Sequence, residues 1–263
     1  MLTIAQLCSY LESIAPLRLA EDWDNVGLLL GDPQRSAERV MTCLTVTATS
    51  AQEAIDRGVD LLVTHHPFPF RPLSRLTTES AVGRLLWQLA RAGVAIYSPH
   101  TAWDSASMGI NQQLAQGLGL TDIRPLQPIP DDPDELGSGR CGAWPEPRTL
   151  AAAIERVKEF LCVGQVQFVG RVDQAITQVA VACGSASSFL EAAHTAGCQL
   201  LLTGEARFHA CLEATALGVA LILPGHYASE RFALETLARC LQQEFPDLEI
   251  WASREEADPL AWA

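Results

Sequence analysis

Short apolar runs alternate along this chain with longer stretches in which apolar residues recur at helical spacing, a rhythm that predicts strands interleaved with helices. An opening helix is expected from Thr3 to about Ala15, with Thr3 as its N-cap and Leu7, Leu11 and Ile14 on one face. A loop over Glu21–Asp32 leads into a short strand. Strands are then expected at Val40–Val46, Leu61–Thr64 and Val94–Tyr97, separated by helices at Ser50–Arg57 and Ser80–Arg91. After a break the pattern resumes: a helix near Thr149–Leu161, strands at Gln165–Val169 and Gln178–Cys183, and a helix over Ser185–Ala196. Strands Leu200–Thr203 and Val219–Leu223, a helix at Ser229–Gln243 and a strand at Leu248–Trp251 close the chain. The fold class expected is α/β, built as two related α/β units with mainly parallel sheets.

The relation between the units is visible as a repeated template. Gly58-Val59-Asp60-Leu61-Leu62-Val63-Thr64 is matched by Gly197-Cys198-Gln199-Leu200-Leu201-Leu202-Thr203. Each is followed by a second glycine-led run, ending in Pro99-His100 in one case and Pro224-Gly225-His226 in the other. The stretch from Asp122 to Pro147 interrupts the rhythm with six prolines (125, 128, 130, 133, 145 and 147), which marks it as the junction. The units are therefore expected at 1–125 and 126–263, with a final helix able to pack back on the first.

Composition narrows the function classes. The 263 residues carry a formal charge of -13, from 31 acids against 18 bases, with no clustered basic face to hold a nucleic acid. No apolar run approaches a membrane span, and the N-terminus lacks the start of a signal peptide, so neither a membrane nor export is expected and the cytoplasm is the default. The 8 cysteines contain no C-x-x-C pair and read as free, mostly buried thiols in a reducing compartment.

Ligand chemistry gathers just past the expected strands, where open parallel sheets collect their ligands. His65-His66 project in different directions from one loop, and the alternative is an accidental surface pair. His100 and Asp104 stand four apart, with Asp104 equally able to cap a helix opening at Ser105. His226 and Glu230 repeat that spacing, and Glu230 in a first helical turn would also suit the helix dipole. Glu205 and His209 are candidates for proton management, His209 having a partly buried helix face as its plainer reading. Asp22-Trp23-Asp24-Asn25 reads as a substrate or metal rim, or as ordinary turn chemistry. His65, His66, Asp104, His226 and Glu230 form a mixed nitrogen and oxygen set that suits zinc, manganese, iron or nickel. Five ligands exceed one tetrahedral ion, so two divalent cations with a bridging carboxylate, in a cleft between the units, are expected.

These residues resemble the Nif-three-like proteins, the GTP cyclohydrolase 1 type 2 homologues. The resemblance runs nearly end to end, through Trp23-Asp24-Asn25-Val26-Gly27-Leu28, Thr64-His65-His66-Pro67, His100-Thr101 with Asp104, Gly139-Arg140, Thr203-Gly204-Glu205 and Gly225-His226-Tyr227 with Glu230. It implies a dinuclear divalent-metal site from His65, His66, Asp104, His226 and Glu230, with Glu230 bridging, and a ring-shaped homohexamer. Two departures stand out: Thr45 where the family usually has aspartate, and Cys183-Gly184-Ser185-Ala186 where the turn is usually richer in glycine. The activity expected is hydrolysis of a small nucleotide-like substrate; the other reading is a non-catalytic metal-binding protein, a reserve, metallochaperone or scaffold.

Overall fold

The computed structural model describes residues 2–261. The chain divides into two compact units, one running through Trp103 and resuming at Ala233, the other Asp104–Phe232. Each unit carries its own sheet.

In the first unit the opening helix Ile4–Ile14 is held at its start by a reciprocal cap, the Thr3 hydroxyl accepting from Gln6 N and the Gln6 side chain from Thr3 N. Its sheet runs in the order Gly27–Leu30, Ala95–Ser98, Leu61–Thr64, Arg39–Cys43, Glu249–Ala252. Only the Gly27–Leu30 edge is antiparallel. Leu61–Thr64 and Ala95–Ser98 are buried throughout, which is why they read as unbroken apolar runs without alternation. One side of the sheet packs Met41, Leu62, Ile96 and Trp251 against Leu86 and Leu89 of the helix Ala81–Ala92.

The last residues return to this unit through a buried carboxylate. Glu53, on the helix Ala48–Asp56, accepts from Ser253 Oγ at 2.6 Å, Trp251 Nε1 at 3.3 Å, Arg254 N at 3.1 Å and Glu255 N at 3.2 Å. Burial alone would raise this carboxyl; the donors outweigh it and hold it below its ordinary value.

The second unit orders its strands Thr121–Arg124, Arg140–Thr149, Ala175–Ala182, Leu200–Thr203, Ala220–Leu223, Gln167–Val169. The two pairings within Ala175–Ala182, Leu200–Thr203 and Ala220–Leu223 are parallel; the flanking pairings are antiparallel. The expected junction therefore differs from what is found. Asp122–Pro147 supplies two strands of this sheet, and the units divide at Trp103/Asp104 and Phe232/Ala233 rather than near 125. Its prolines misled because 145 and 147 sit where register slips, between the pairs Gln178↔Ala143 and Ile176↔Arg148, a place that tolerates a missing donor.

The repeated template has a structural counterpart. Leu61 pairs in parallel with Ala95 and Leu62 with Ile96; Leu200 pairs with Ala220 and Leu201 with Leu221. Gly93 and Gly218 cap the preceding helices at φ 75 and 72, a conformation that a Cβ disfavours. The template threonines also match. Thr64 Oγ1 donates to Leu44 O and Thr203 Oγ1 to Gly184 O, both at 3.2 Å, closing the carboxyl end of the neighbouring strand.

Replacing Glu53 with alanine is expected to cost about 2–3 kcal/mol in urea unfolding, since it orphans buried donors. Because the folded carboxyl lies below its unfolded value, the stability it contributes is present above the unfolded value and lost as pH falls through the folded one. The gap between native protein and Glu53→Ala should accordingly narrow in acid; a constant gap would contradict the assignment.

Candidate metal centre

In the first unit, Leu61–Thr64 hands the chain directly to His65 and His66. Their amides continue the parallel ladder onto Cys43 O at 3.0 Å and Leu44 O at 2.9 Å, and Ser98 Oγ fixes the His65 carbonyl at 2.6 Å. Ala95–Ser98 delivers His100 through Pro99, at the first position of the helix His100–Ser105. The three imidazoles stand with ring centroids 5.0, 5.1 and 5.5 Å apart. One nitrogen from each lies within 4.8 Å of the others. His65 and His100 are buried and His66 half-buried.

Hydrogen bonds at Nδ1 orient two of these rings. His100 Nδ1 donates to Asp24 Oδ1 at 2.8 Å, and His66 Nδ1 is bonded to Thr45 Oγ1 at 2.6 Å. The carboxylate acceptor at Nδ1 of His100 selects the tautomer whose lone pair sits on Nε2, the usual preparation of an imidazole ligand, while the Thr45 hydroxyl, able to donate or accept, fixes the orientation of the His66 ring. Thr45 thus makes its contact to His66 through a hydroxyl. Asp24 also accepts from Thr101 N at 3.1 Å and from the Thr101 hydroxyl. These bonds hold His100 at φ 26, a backbone region that a non-glycine residue enters only under constraint. Burial by itself would raise the Asp24 carboxyl, but the His100 and Thr101 donors bring it down to about 2.

In the second unit, Leu200–Thr203 leads to Gly204-Glu205, and Ala220–Leu223 leads to His226 at the start of the helix His226–Glu244. The helix opens three residues earlier than the expected Ser229, so His226 is its first residue and Glu230 lies one turn on. His226 Nδ1 donates to Glu205 Oε1 at 3.1 Å, and Nε2 lies 3.2 Å from Glu230 Oε2. The Glu230 bond is the main cause that lifts the His226 imidazole to about 9; burial opposes it and Glu205 adds to it. Two glycines make room. A Cβ at Gly184, whose φ is 64, would fall 2.3 Å from Glu230 Oε1 and 3.3 Å from His226 Nε2; one at Gly204 would fall 2.9 Å from His226 Cα.

Asp104 belongs to the interior of the helix His100–Ser105, so the capping alternative fails: the next helix, Ile110–Gly117, is preceded by Gly109. Its Oδ1 accepts from Cys183 Sγ at 3.2 Å, while Asn111 joins the Asp104 carbonyl (3.2 Å) to Cys183 N (2.8 Å). Arg140 pins the segment just beyond. It is buried and spends its donors on Ser105 O and Ala106 O at 2.8 Å, Gly137 O and Gly139 O at 2.7 Å, and Gln112 Oε1 at 2.9 Å.

Glu205 and His209 are not joined by a hydrogen bond among the described residues. Glu205 serves His226, whereas His209 is exposed on the helix Phe208–Leu217 with its ring against Phe208 at 5.7 Å. The cysteines are free as expected, although Cys162 is exposed and Cys211 and Cys240 are half-buried. The second-layer contacts of Thr45, Cys183 and Arg140 had no signal in spacing, because each partner is brought near only by the sheet.

Comparison with known proteins finds relatives and solved structures that share the fold. The family profile of Duf34/NIF3 (NGG1p interacting factor 3) matches residues 2–259. A Clostridium perfringens protein named GTP cyclohydrolase 1 type 2 homolog is 31% identical over 254 residues, covering 96% of this chain and 97% of its own. The Schizosaccharomyces pombe protein NIF3 homolog is 35% identical over 271 residues, covering 97% and 96%. Among solved structures, Staphylococcus aureus protein SA1388 superposes with a TM-score of 0.90 at 25% identity over 100% of this chain and 99% of that one. A Bacillus cereus protein related to NIF3 shares the fold with a TM-score of 0.91 at 22% identity, covering 100% and 99%. No helix among the described residues is long and apolar enough to cross a membrane.

Asp24→Ala should destabilise the protein by about 2 kcal/mol at neutral pH, from the drop of its carboxyl to about 2. Because that value is lowered, the contribution is complete above the unfolded carboxyl range and disappears as pH falls toward 2. Urea unfolding of both proteins at pH 6 and in acid reads the convergence. Equal stabilities at pH 6 would refute the role given to Asp24.

Proposed function

The chain belongs to the Duf34/NIF3 family, and from that premise we propose that it holds two divalent cations through His65, His66, Asp104, His226 and Glu230 and hydrolyses a small nucleotide-like substrate. The observation that carries the reading is the tethering of imidazoles at Nδ1 by Thr45, Asp24 and Glu205. Two of the proposed ligands, His66 and His226, and the neighbouring His100 are each anchored at Nδ1, which leaves Nε2 as the atom to meet a cation. The nucleotide part of the reading comes from the name GTP cyclohydrolase 1 type 2 homolog carried by relatives.

The donor set fits a cation. Imidazoles with carboxylates favour zinc, manganese, iron or nickel over calcium. The raised proton affinity of His226 reports a local negative potential made by Glu230 and Glu205, and the space that Gly184 leaves beside both side chains is room a Cβ would fill. When bound, the cations supply Lewis acidity and lower the proton affinity of water. Glu205 keeps the His226 ring in its coordinating tautomer, Cys183 and Asn111 set Asp104, and Thr45 sets His66. His209 stands exposed on its helix, open to solvent. His100 stands with His65 and His66 as an additional imidazole. The same proposal includes assembly into a homohexamer, which sedimentation reads.

Protein stripped of metal and reloaded with zinc, manganese or iron should bind about two ions per chain, as a two-metal site requires. His66→Ala and Glu230→Ala should each lower that content, and Gly184→Ala should lower it while retaining the native circular dichroism. Loading at pH 7.5 should release a proton, because His226 titrates near 9 without metal. Turnover of GTP and of model phosphodiesters should appear on loading and vanish in His66→Ala. Undiminished metal content in both variants would refute the ligand set. Full occupancy with no turnover across a broad metabolite screen would instead establish the non-catalytic metal-binding protein.

A further inference from the structure

Two large aromatic side chains beside the imidazole cluster are exposed. Trp23 is 63% and Phe70 52% accessible. Scattered apolar side chains at a surface are ordinary, but these two are in contact with each other and with a candidate ligand. Their ring centroids are 6.2 Å apart with planes tilted 41°. Each meets the His100 ring edge-on, Trp23 at 5.9 Å and 78°, Phe70 at 5.8 Å and 76°. His100 in turn lies 5.1 Å from His65 and 5.5 Å from His66. A continuous run of π surfaces therefore starts in solvent and ends among the nitrogens.

The loops that present this pair are fixed. Asp24, next to Trp23, is bonded to His100 and Thr101, and Asn25 Nδ2 donates to Pro69 O at 3.4 Å, tying the Trp23 loop to the Phe70 loop. Neither ring is needed to fill the core of its unit.

We propose that Trp23 and Phe70 form a platform on which a flat heteroaromatic ring of nucleobase size stacks, with the remainder of the ligand directed at the imidazole cluster. The inference rests on the metal-site reading above and adds the substrate's recognition element to it. The occupant follows from the geometry: two rings about one ring-width apart offer area for one planar group, too little for a helix or strand. Stacking also suits a chain of net charge -13, since it supplies affinity that does not depend on the ligand's charge.

The test compares GMP with ribose 5-phosphate, which share phosphate and sugar and differ by the base. Calorimetry on zinc-loaded and on metal-free protein should show GMP binding at least about tenfold more tightly, as expected for base stacking on aromatic side chains. Trp23→Ala and Phe70→Ala should each weaken GMP about five- to tenfold and leave ribose 5-phosphate unchanged, while Trp23→Phe keeps most of the preference. Equal affinity for both compounds, failure of both to bind, or an undiminished preference in Trp23→Ala would overturn the platform. So would a change of sedimentation in either alanine variant, which would make the pair a subunit contact. Zinc per chain, measured on the same samples, reports separately on the metal reading. Its failure would leave the base preference still readable in metal-free protein.

Discussion

An imidazole can coordinate only if its ring is aimed, and a ring on a loop has two rotatable bonds with which to miss. The constraint on which this molecule's candidate chemistry depends is the bond at Nδ1 that removes that freedom. It recurs with three chemically different partners: a buried carboxylate for His100, a hydroxyl for His66 and a half-exposed carboxylate for His226. The partners are not equivalent. An ionised acceptor raises the basicity of the ring it holds, while a hydroxyl orients without adding charge. His66 therefore gains no negative charge from its Nδ1 partner, whereas His100 and His226 do from theirs.

The aim of each ring is inherited from the backbone below it. A glycine turns the chain out of a helix, an apolar run crosses a buried sheet, a threonine seals the strand's end against its neighbour, and the next residues emerge where carboxyl-terminal strand ends meet solvent. Because both units use this device in the same register, each places an imidazole or carboxylate within two residues of Thr64 or Thr203 and another after the adjacent strand. A threonine in this arrangement is a structural part of the site without touching a ligand atom.

Much of this was legible in the sequence. Leu61–Thr64 and Leu200–Thr203 came out with their observed ends because buried parallel strands are apolar throughout and bounded by glycine and threonine. Asp104 and the 122–147 segment did not. In each the local signal, an acid before serine or a cluster of prolines, has a common meaning that tertiary structure overrode: Asp104 is inside a helix, and the prolines flank a slipped register. The layer behind the candidate ligands was illegible for a different reason. Thr45 reaches His66 across 21 positions, Cys183 reaches Asp104 across 79, and Arg140 reaches Ser105 across 35, and no periodicity connects such pairs.

The charge balance gives the arrangement its selectivity. A chain with 31 acids against 18 bases repels a phosphorylated ligand at long range, yet donors hold the Asp24 and Glu53 carboxyls below their ordinary values despite burial. Arg140, buried in the second unit, spends its guanidinium on four backbone carbonyls and the Gln112 side-chain amide. In the proposed reading, neutralising a phosphate is the task of the cations that the carboxylates would draw in. Affinity for the uncharged part of a substrate then has to come from surface rather than charge. An exposed indole and phenyl ring at the edge of the imidazoles supply the kind of surface that does so without adding to the net field.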